Sequence, residues 1–266
     1  MSGSVLAVIS DTHIGSTTAL APLRYQLHNR NSLELQTVEA NRLQKWLHEQ
    51  WVDYWAYVRT LSKRRRLIVA HLGDVIDGNH HGSTQLVSEV GDQYEMAMQL
   101  LEPIRGFANT FVGIFGTGPS HGGMDNADEA AIYSKLGADY VGQQVTLSID
   151  GVLVDLAHHG RASARNYSST AVSQAAEVML EYAQSGDPLP NLILRGHRHK
   201  FQDSGAHFEQ TRLIQCPAWQ LKTSHGWKVA TNARSDIGGV IVIDGNVNLS
   251  KARYRGAPDE RKVVEC

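Results

Sequence analysis

Five times along this chain a short apolar run of strand type stops at a cluster of glycine, aspartate, threonine or histidine. "VLAVIS" runs into "DTH", "LIVAHL" into "GD" and "TFVGIF" into "GTGPSHGG", while "VLVDLA" meets "HHG" and "LILR" meets "GHRH". Apolar runs of four to eight residues rich in branched side chains read as buried strands. Segments of helical periodicity lie between several of them. Strands that alternate with helices and then give way to hairpins imply a layered α/β fold around a mixed sheet. In such folds, sites lie beyond the carboxyl ends of the strands. Each polar cluster falls at such an end, so one shared site is expected.

The elements follow from the same reasoning. Val5 to Ser10 is the first strand, and Ser16 to Glu34 is polar and irregular, as a surface insertion would be. From Gln36 to about Ser62 the pattern is helical: Leu43, Leu47, Trp51, Trp55, Val58 and Leu61 recur every three or four residues, with Trp46 and Tyr54 widening that face. These aromatics suit core packing, or a platform for stacked bases. The basic cluster Lys63 to Arg66 follows; it suits a helix C-terminus, whose dipole favours cations, or contact with a phosphate backbone. Further helices are expected over Tyr94 to Phe107, Ala127 to Leu136 and Thr170 to Gln184. Asp150-Gly151 and Asp244-Gly245 are two-residue hairpin turns between apolar runs. After Tyr254 the tail is charged and expected to fray.

A chain of 266 residues, 42% hydrophobic, suits one large domain over 1–266, here with a helical insertion around 16–65. The formal net charge of −2 gives no overall basic field for nucleic acid, and leaves room for a local basic groove. No apolar run approaches the roughly 20 residues that span a bilayer, so no membrane partner is expected. The start, "MSGSVLAVISD", reads as a strand and not as a signal peptide. Two cysteines, Cys216 and Cys266, give no disulfide framework, and a reducing cytoplasm is the default setting.

The 13 histidines matter through their placement. In extended backbone, residues i and i+2 point the same way, so Asp11 with His13, and His197 with His199, could each reach one ion together. Gly196 lets the chain turn before the second pair. Asp74 offers a carboxylate whose two oxygens could bridge two cations, and His158 and His159 add imidazoles. Mixed nitrogen and oxygen donors suit first-row divalent ions such as manganese, iron, zinc, cobalt or nickel, and not calcium. With no ion to share, such groups crowded into one cleft would be unfavourable.

In this order, "DTH", "GD", a histidine-bearing strand end, "HHG" and "GHRH" resemble the calcineurin-like metallophosphoesterases, over roughly Val5 to Lys200. The helical segment and the "GDVIDG" form look most like members carried by phages and prophages. The resemblance implies a four-layer α/β/β/α sandwich of mixed sheets flanked by helices. It implies two divalent cations, manganese first, with zinc, iron, nickel or cobalt as alternatives. Asp11, His13 and His199 would hold the first, His197 and His158 (or His159) the second, and Asp74 would bridge them. The family's Gly-Asn-His element belongs to the strand after Gly-Asp. Asn79 and His80 follow Asp74 too closely to fill it, and Phe115 to Gly123 takes its place. There Thr117 stands where the family has a metal-binding asparagine, and the histidine is displaced to His121. His121 would protonate or stabilise the leaving oxygen, or would itself be a ligand.

The activity so implied is hydrolysis of a phosphodiester by water activated between two cations, the substrate being a phosphoester such as a nucleotide or nucleic acid. From the residues themselves, Arg161 and Arg165 after "HHG" suit either steadying the phosphate or a plain surface role. The alternatives are a phosphomonoesterase and a non-catalytic scaffold of the same fold. A protein phosphatase is disfavoured, because no arginine adjoins the third cluster. Oligomeric state is left open.

Overall fold

The computed structural model describes residues 3–28, 34–79, 87, 89–159, 171–223, 235–243 and 246–254, with the backbone alone for 119–120 and 246–254. In chain order the strands are β1 (Ser4–Ile9), β2 (Arg24–His28), β3 (Leu35–Glu39), β4 (Arg66–His71), β5 (Thr110–Ile114), β6 (Tyr140–Gly142), β7 (Gln144–Ile149), β8 (Val152–Ala157), β9 (Leu192–Arg195), β10 (Gln202–Asp203), β11 (Arg212–Gln215), β12 (Ile237–Ile243) and β13 (Asn246–Tyr254). The α-helices are α1 (Arg42–Ser62), α2 (Val90–Arg105), α3 (Ala127–Lys135) and α4 (Ala171–Ser185).

Two mixed sheets carry the fold. One has the order β13-β12-β1-β4-β5-β6 and the other β10-β11-β9-β8-β7. The period-two alternation of the strands assigns each face a job. Leu6 and Val8 of β1, with Ile68 and Ala70 of β4 and Val112 and Ile114 of β5, meet Val154, Leu156, Leu192, Leu194 and Ile214 of the second sheet. The alternate residues Val5, Ala7, Ile9, Leu67, Val69 and Phe111 face the other way and pack on α1, α2 and α3. On the far side, Ile193 and Leu213 pack under Ala171, Ala175 and Val178 of α4. The layers therefore run helix, sheet, sheet, helix, as the sequence led one to expect. Strands that read as uniformly apolar do so because both their faces are buried.

Two expectations need correction. Helix α1 begins at Arg42, not Gln36. Asn41 caps it, accepting from Leu43 N and Gln44 N while Gln44 Oε1 accepts from Asn41 N. This reciprocal box fixes the start. The residues before it form β3, paired antiparallel with β2. Nor is Ser16 to Glu34 simply a polar surface segment. Ser16, Ala19, Leu20, Ala21 and Tyr25 are buried, and Leu20 N donates to Trp219 O. The tip, 29–33, lies outside the described residues, as do the Asp244-Gly245 turn and the tail after Tyr254.

The α1 aromatics take the packing role. Trp51 meets Trp55 and Trp219 edge-on, with ring centroids 5.5 and 4.8 Å apart. The basic cluster sits where α1 ends and β4 starts: Arg65 Nη1 donates to Leu61 O, and Arg66 Nη2 to Thr110 Oγ1 at the first residue of β5. That edge is separated from Asp74 by the length of β4, roughly 16 Å.

Leu194 is fully buried between the sheets. Leu194→Ala is expected to cost about 2–5 kcal/mol in equilibrium urea unfolding. Val52→Ala, on the exposed side of α1, should stay within about 0.5 kcal/mol.

Candidate metal centre

The loops that leave β1, β4, β5, β8 and β9 converge. Strands β1, β4 and β5 are parallel neighbours, and so are β8 and β9. Their carboxyl ends therefore lie at the same edge of each sheet. The β1 and β4 loops stay paired beyond their strands: Asp11 N donates to Gly73 O, His13 N to Asp74 O and Ile14 N to Val75 O. Gly73 and Gly116 make the closest backbone approach. A Cβ on Gly73 would lie 2.5 Å from Gly116 Cα, and one on Gly116 would lie 2.2 Å from Asp74 N. Only glycine fits at either place.

The i, i+2 expectation fails in its geometry. Asp11, His13, Asp74, His197 and His199 all have positive φ, at 54°, 40°, 54°, 72° and 52°. The pairs share a target because each residue turns in the left-handed region, not because the backbone is extended. Aspartate tolerates that region better than most residues. Even so, a non-glycine held there costs about 1 kcal/mol or more, and such clustering marks a site the surrounding fold over-determines.

All six expected ligand residues come together. Around Asp11, its Oδ1 lies 3.3 Å from His199 Nε2 and 3.9 Å from His13 Nε2. His13 Nε2 and His199 Nε2 face each other at 3.1 Å. Around Asp74, its Oδ2 lies 3.7 Å from His13 Nε2 and 3.2 Å from His158 Nε2. Asp74 thus reaches both groups. Four sets of donor atoms gather within 4.8 Å of one another: Asp11, His13, His199; His13, Asp74, His121; Asp11, Asp74, His158; and His158, His159, His197.

Neighbours hold these ligands in place. His158 Nδ1 donates to Leu72 O at 2.5 Å, which turns Nε2 toward Asp74. Asp11 accepts from Ser10 Oγ and from His197 N, the latter at 3.1 and 3.0 Å. Asp74 Oδ1 accepts from Thr117 N at 2.6 Å. Thr117 Oγ1 stands 3.3 Å from Asp74 Oδ2, 3.3 Å from His158 Nε2 and 3.4 Å from His197 Nδ1. His121 lies in a single turn of π-helix over Gly118–Gly122. Its Nδ1 donates to Asp77 O at 2.9 Å, and its ring meets His13 edge-on at 4.5 Å. It therefore borders the cluster, within reach of either role expected of it. Asn79 is exposed and belongs to none of the four sets. His80, Arg161 and Arg165 lie outside the described residues.

The electrostatics follow from burial and proximity. Burial would raise Asp74, but the charge and hydrogen bond of His158, with His13 and His121, hold it well below the usual carboxylate range. Asp11 is likewise lowered: burial opposes ionisation, and His199 and His158 overcome it. Burial pulls His158 down, yet Asp74 more than offsets this and lifts it to about 10. His13 falls well below its ordinary value through burial and the nearby His121.

Four supporting residues gave no signal in the sequence. Asp77 faces His13 Nδ1 at 3.7 Å, and burial pushes it up to about 7. His71 Nε2 lies 3.1 Å from Thr12 Oγ1, and Gly73 N donates to its Nδ1, joining the "DTH" and "GD" loops. Thr12 Oγ1 in turn donates to Val75 O. Glu129 accepts from Val75 N at 2.9 Å and Gly116 N at 2.7 Å, joining the "GD" and "GTG" loops. Apart from Gly73 beside His71, each partner is distant in sequence, so no local pattern announces the pairing.

This cluster fits divalent cations. Two imidazole nitrogens, His13 Nε2 and His199 Nε2, face each other beside two buried carboxylates. Nitrogen and carboxylate donors together match first-row ions.

Comparison with family models finds no match, and neither does comparison with curated proteins. Among solved structures, an archaeal phosphodiesterase matches at a TM-score of 0.48 and 11% identity, over 94% of this chain and 99% of that one. A metallophosphoesterase from Sphaerobacter thermophilus matches at 0.43 and 11%, over 94% and 88%. Vps29 from Entamoeba histolytica, complexed with zinc, matches at 0.43 and 10%, over 94% and 98%. At these scores the functional reading rests on the side chains.

Glu129 tests how the loops are held. Glu129→Gln leaves one buried N–H facing an amide group in place of a carboxylate oxygen. It is expected to cost about 1–3 kcal/mol in urea unfolding and to weaken cation binding in calorimetry. A variant as stable as the parent would show that other contacts hold these loops.

Proposed function

We propose that the protein is a phosphoesterase that hydrolyses phosphodiesters with the help of two divalent cations, manganese foremost. The observation that carries this reading is the position of Asp74: its Oδ2 lies 3.7 Å from His13 Nε2 and 3.2 Å from His158 Nε2, so one carboxylate stands between both groups of imidazoles. Asp11, His13 and His199 would hold one cation, and His158 and His197 the other, with Asp74 shared. When bound, such a pair supplies Lewis acidity to a phosphoryl oxygen and activates water at neutral pH.

The chain's own groups have defined tasks. The carboxylates of Asp11 and Asp74 stay ionised, as their lowered pKa values require of ligands. His71, Thr12 and Glu129 fix the loops and so the spacing of the ligands, which electrostatic catalysis needs set in advance. His121 is oriented through Nδ1 by Asp77 O, and its Nε2, when the ring carries both protons, is the nitrogen that would deliver one to the leaving oxygen. A cysteine nucleophile finds no support: Cys216 is fully buried, and burial raises its thiol.

A diester is favoured over a monoester because no arginine adjoins the third polar cluster, Gly116 to Gly123, to neutralise a doubly charged phosphate. Such a centre grips anionic substrate through its cations, which suits a singly charged phosphate. Arg161, two residues after His159 in the sequence, is proposed to steady that phosphate. No described helix is long and apolar enough to cross a membrane, and the proposed setting is the cytoplasm.

A strong chelator is expected to abolish hydrolysis of bis-p-nitrophenyl phosphate, and manganese to restore it. Asp74→Asn should lower the rate on the order of 10²-fold or more with the melting transition retained. Asp74→Asn protein that kept most of its rate with manganese present would end the two-cation reading. Faster turnover of p-nitrophenyl phosphate than of the diester would make it a phosphomonoesterase.

A further inference from the structure

We infer that His159 is a ligand in its own right, and that it completes a second cation seat built from three imidazoles, His158, His159 and His197, with Asp74. This rests on the two-cation reading above and specifies one half of it. The His159 ring meets His158 edge-on at 4.6 Å and His197 at 4.4 Å, and the donor atoms of the three gather within 4.8 Å.

Thr117 explains why a third imidazole is needed. Its hydroxyl stands in contact with Asp74, His158 and His197, in the position from which a further ligand would act. A neutral hydroxyl is a poor match for a first-row divalent ion beside imidazole and carboxylate donors. Asp74, His158 and His197 alone supply three protein donors. His159 makes four, and a five-coordinate ion then keeps one position for water or substrate. The opposing view makes His159 a solvent-facing ring that merely covers the cleft.

The two seats then differ in kind. One offers Asp11, Asp74, His13 and His199, two carboxylates with two imidazoles. The other offers one carboxylate with three imidazoles. The nitrogen-rich seat favours ions such as zinc, cobalt or nickel over magnesium or calcium.

The test is a zinc titration of chelator-stripped, full-length protein against a chromophoric zinc chelator. The wild-type protein is expected to take up two equivalents. His159→Ala should keep one at wild-type affinity and hold the other at least about tenfold more weakly. His159→Gln gives the same reading should the alanine variant fail to fold. A smaller loss, or equal weakening of both equivalents, overturns the assignment, as does a wild-type protein that takes up one equivalent only. A wild-type protein that takes up none refutes the two-cation function itself, and this seat with it.

Discussion

Two carboxylates, Asp11 and Asp74, are buried at the meeting point of five loops. A buried charge is tolerated only when paired and hydrogen-bonded, and every nearby feature answers that demand. Backbone amides of His197 and Thr117 point at these oxygens. Imidazoles surround them, and His158 Nε2 stands 3.2 Å from Asp74 Oδ2. The carboxylates thereby dictate the left-handed turns, the glycines that permit close approach, and the placement of the histidines.

Strain and rigidity are linked here. Residues held at positive φ persist because the β1 and β4 loops continue to hydrogen-bond past the ends of their strands. Glu129 and His71 tie those loops to the β5 loop and to Thr12. The ligands are thus held by a lattice of backbone contacts and not by their rotamers alone. Such a site spends little energy on reorganisation when charge develops within it.

How much of this was legible in the sequence follows from the range of each interaction. The strands and their polar ends were legible because apolar runs and glycine, histidine and aspartate clusters are local patterns. Asp11, His13, Asp74, His158, His197 and His199 could be singled out for that reason, and all six meet in one place. The local geometry that brings them there was not legible, since left-handed turns at non-glycine residues leave no periodic mark. The start of α1 is not legible in the periodicity, because the Asn41 cap and not the apolar spacing fixes it. Glu129 looks like an ordinary helical glutamate until the fold sets it against Val75 and Gly116.

Trp219 links two parts of the molecule that look unrelated in the sequence. Its ring packs on Trp51 and Tyr54 of α1, while its backbone N–H donates to Asp11 O. The largest fully buried side chain is therefore joined directly to a residue of the metal centre. No hinge separates scaffold from chemistry at this point. Loosening of the tryptophan cluster and displacement of Asp11 are thereby coupled through one hydrogen bond, so the aromatic core of α1 bears on the geometry of a cluster it does not enter.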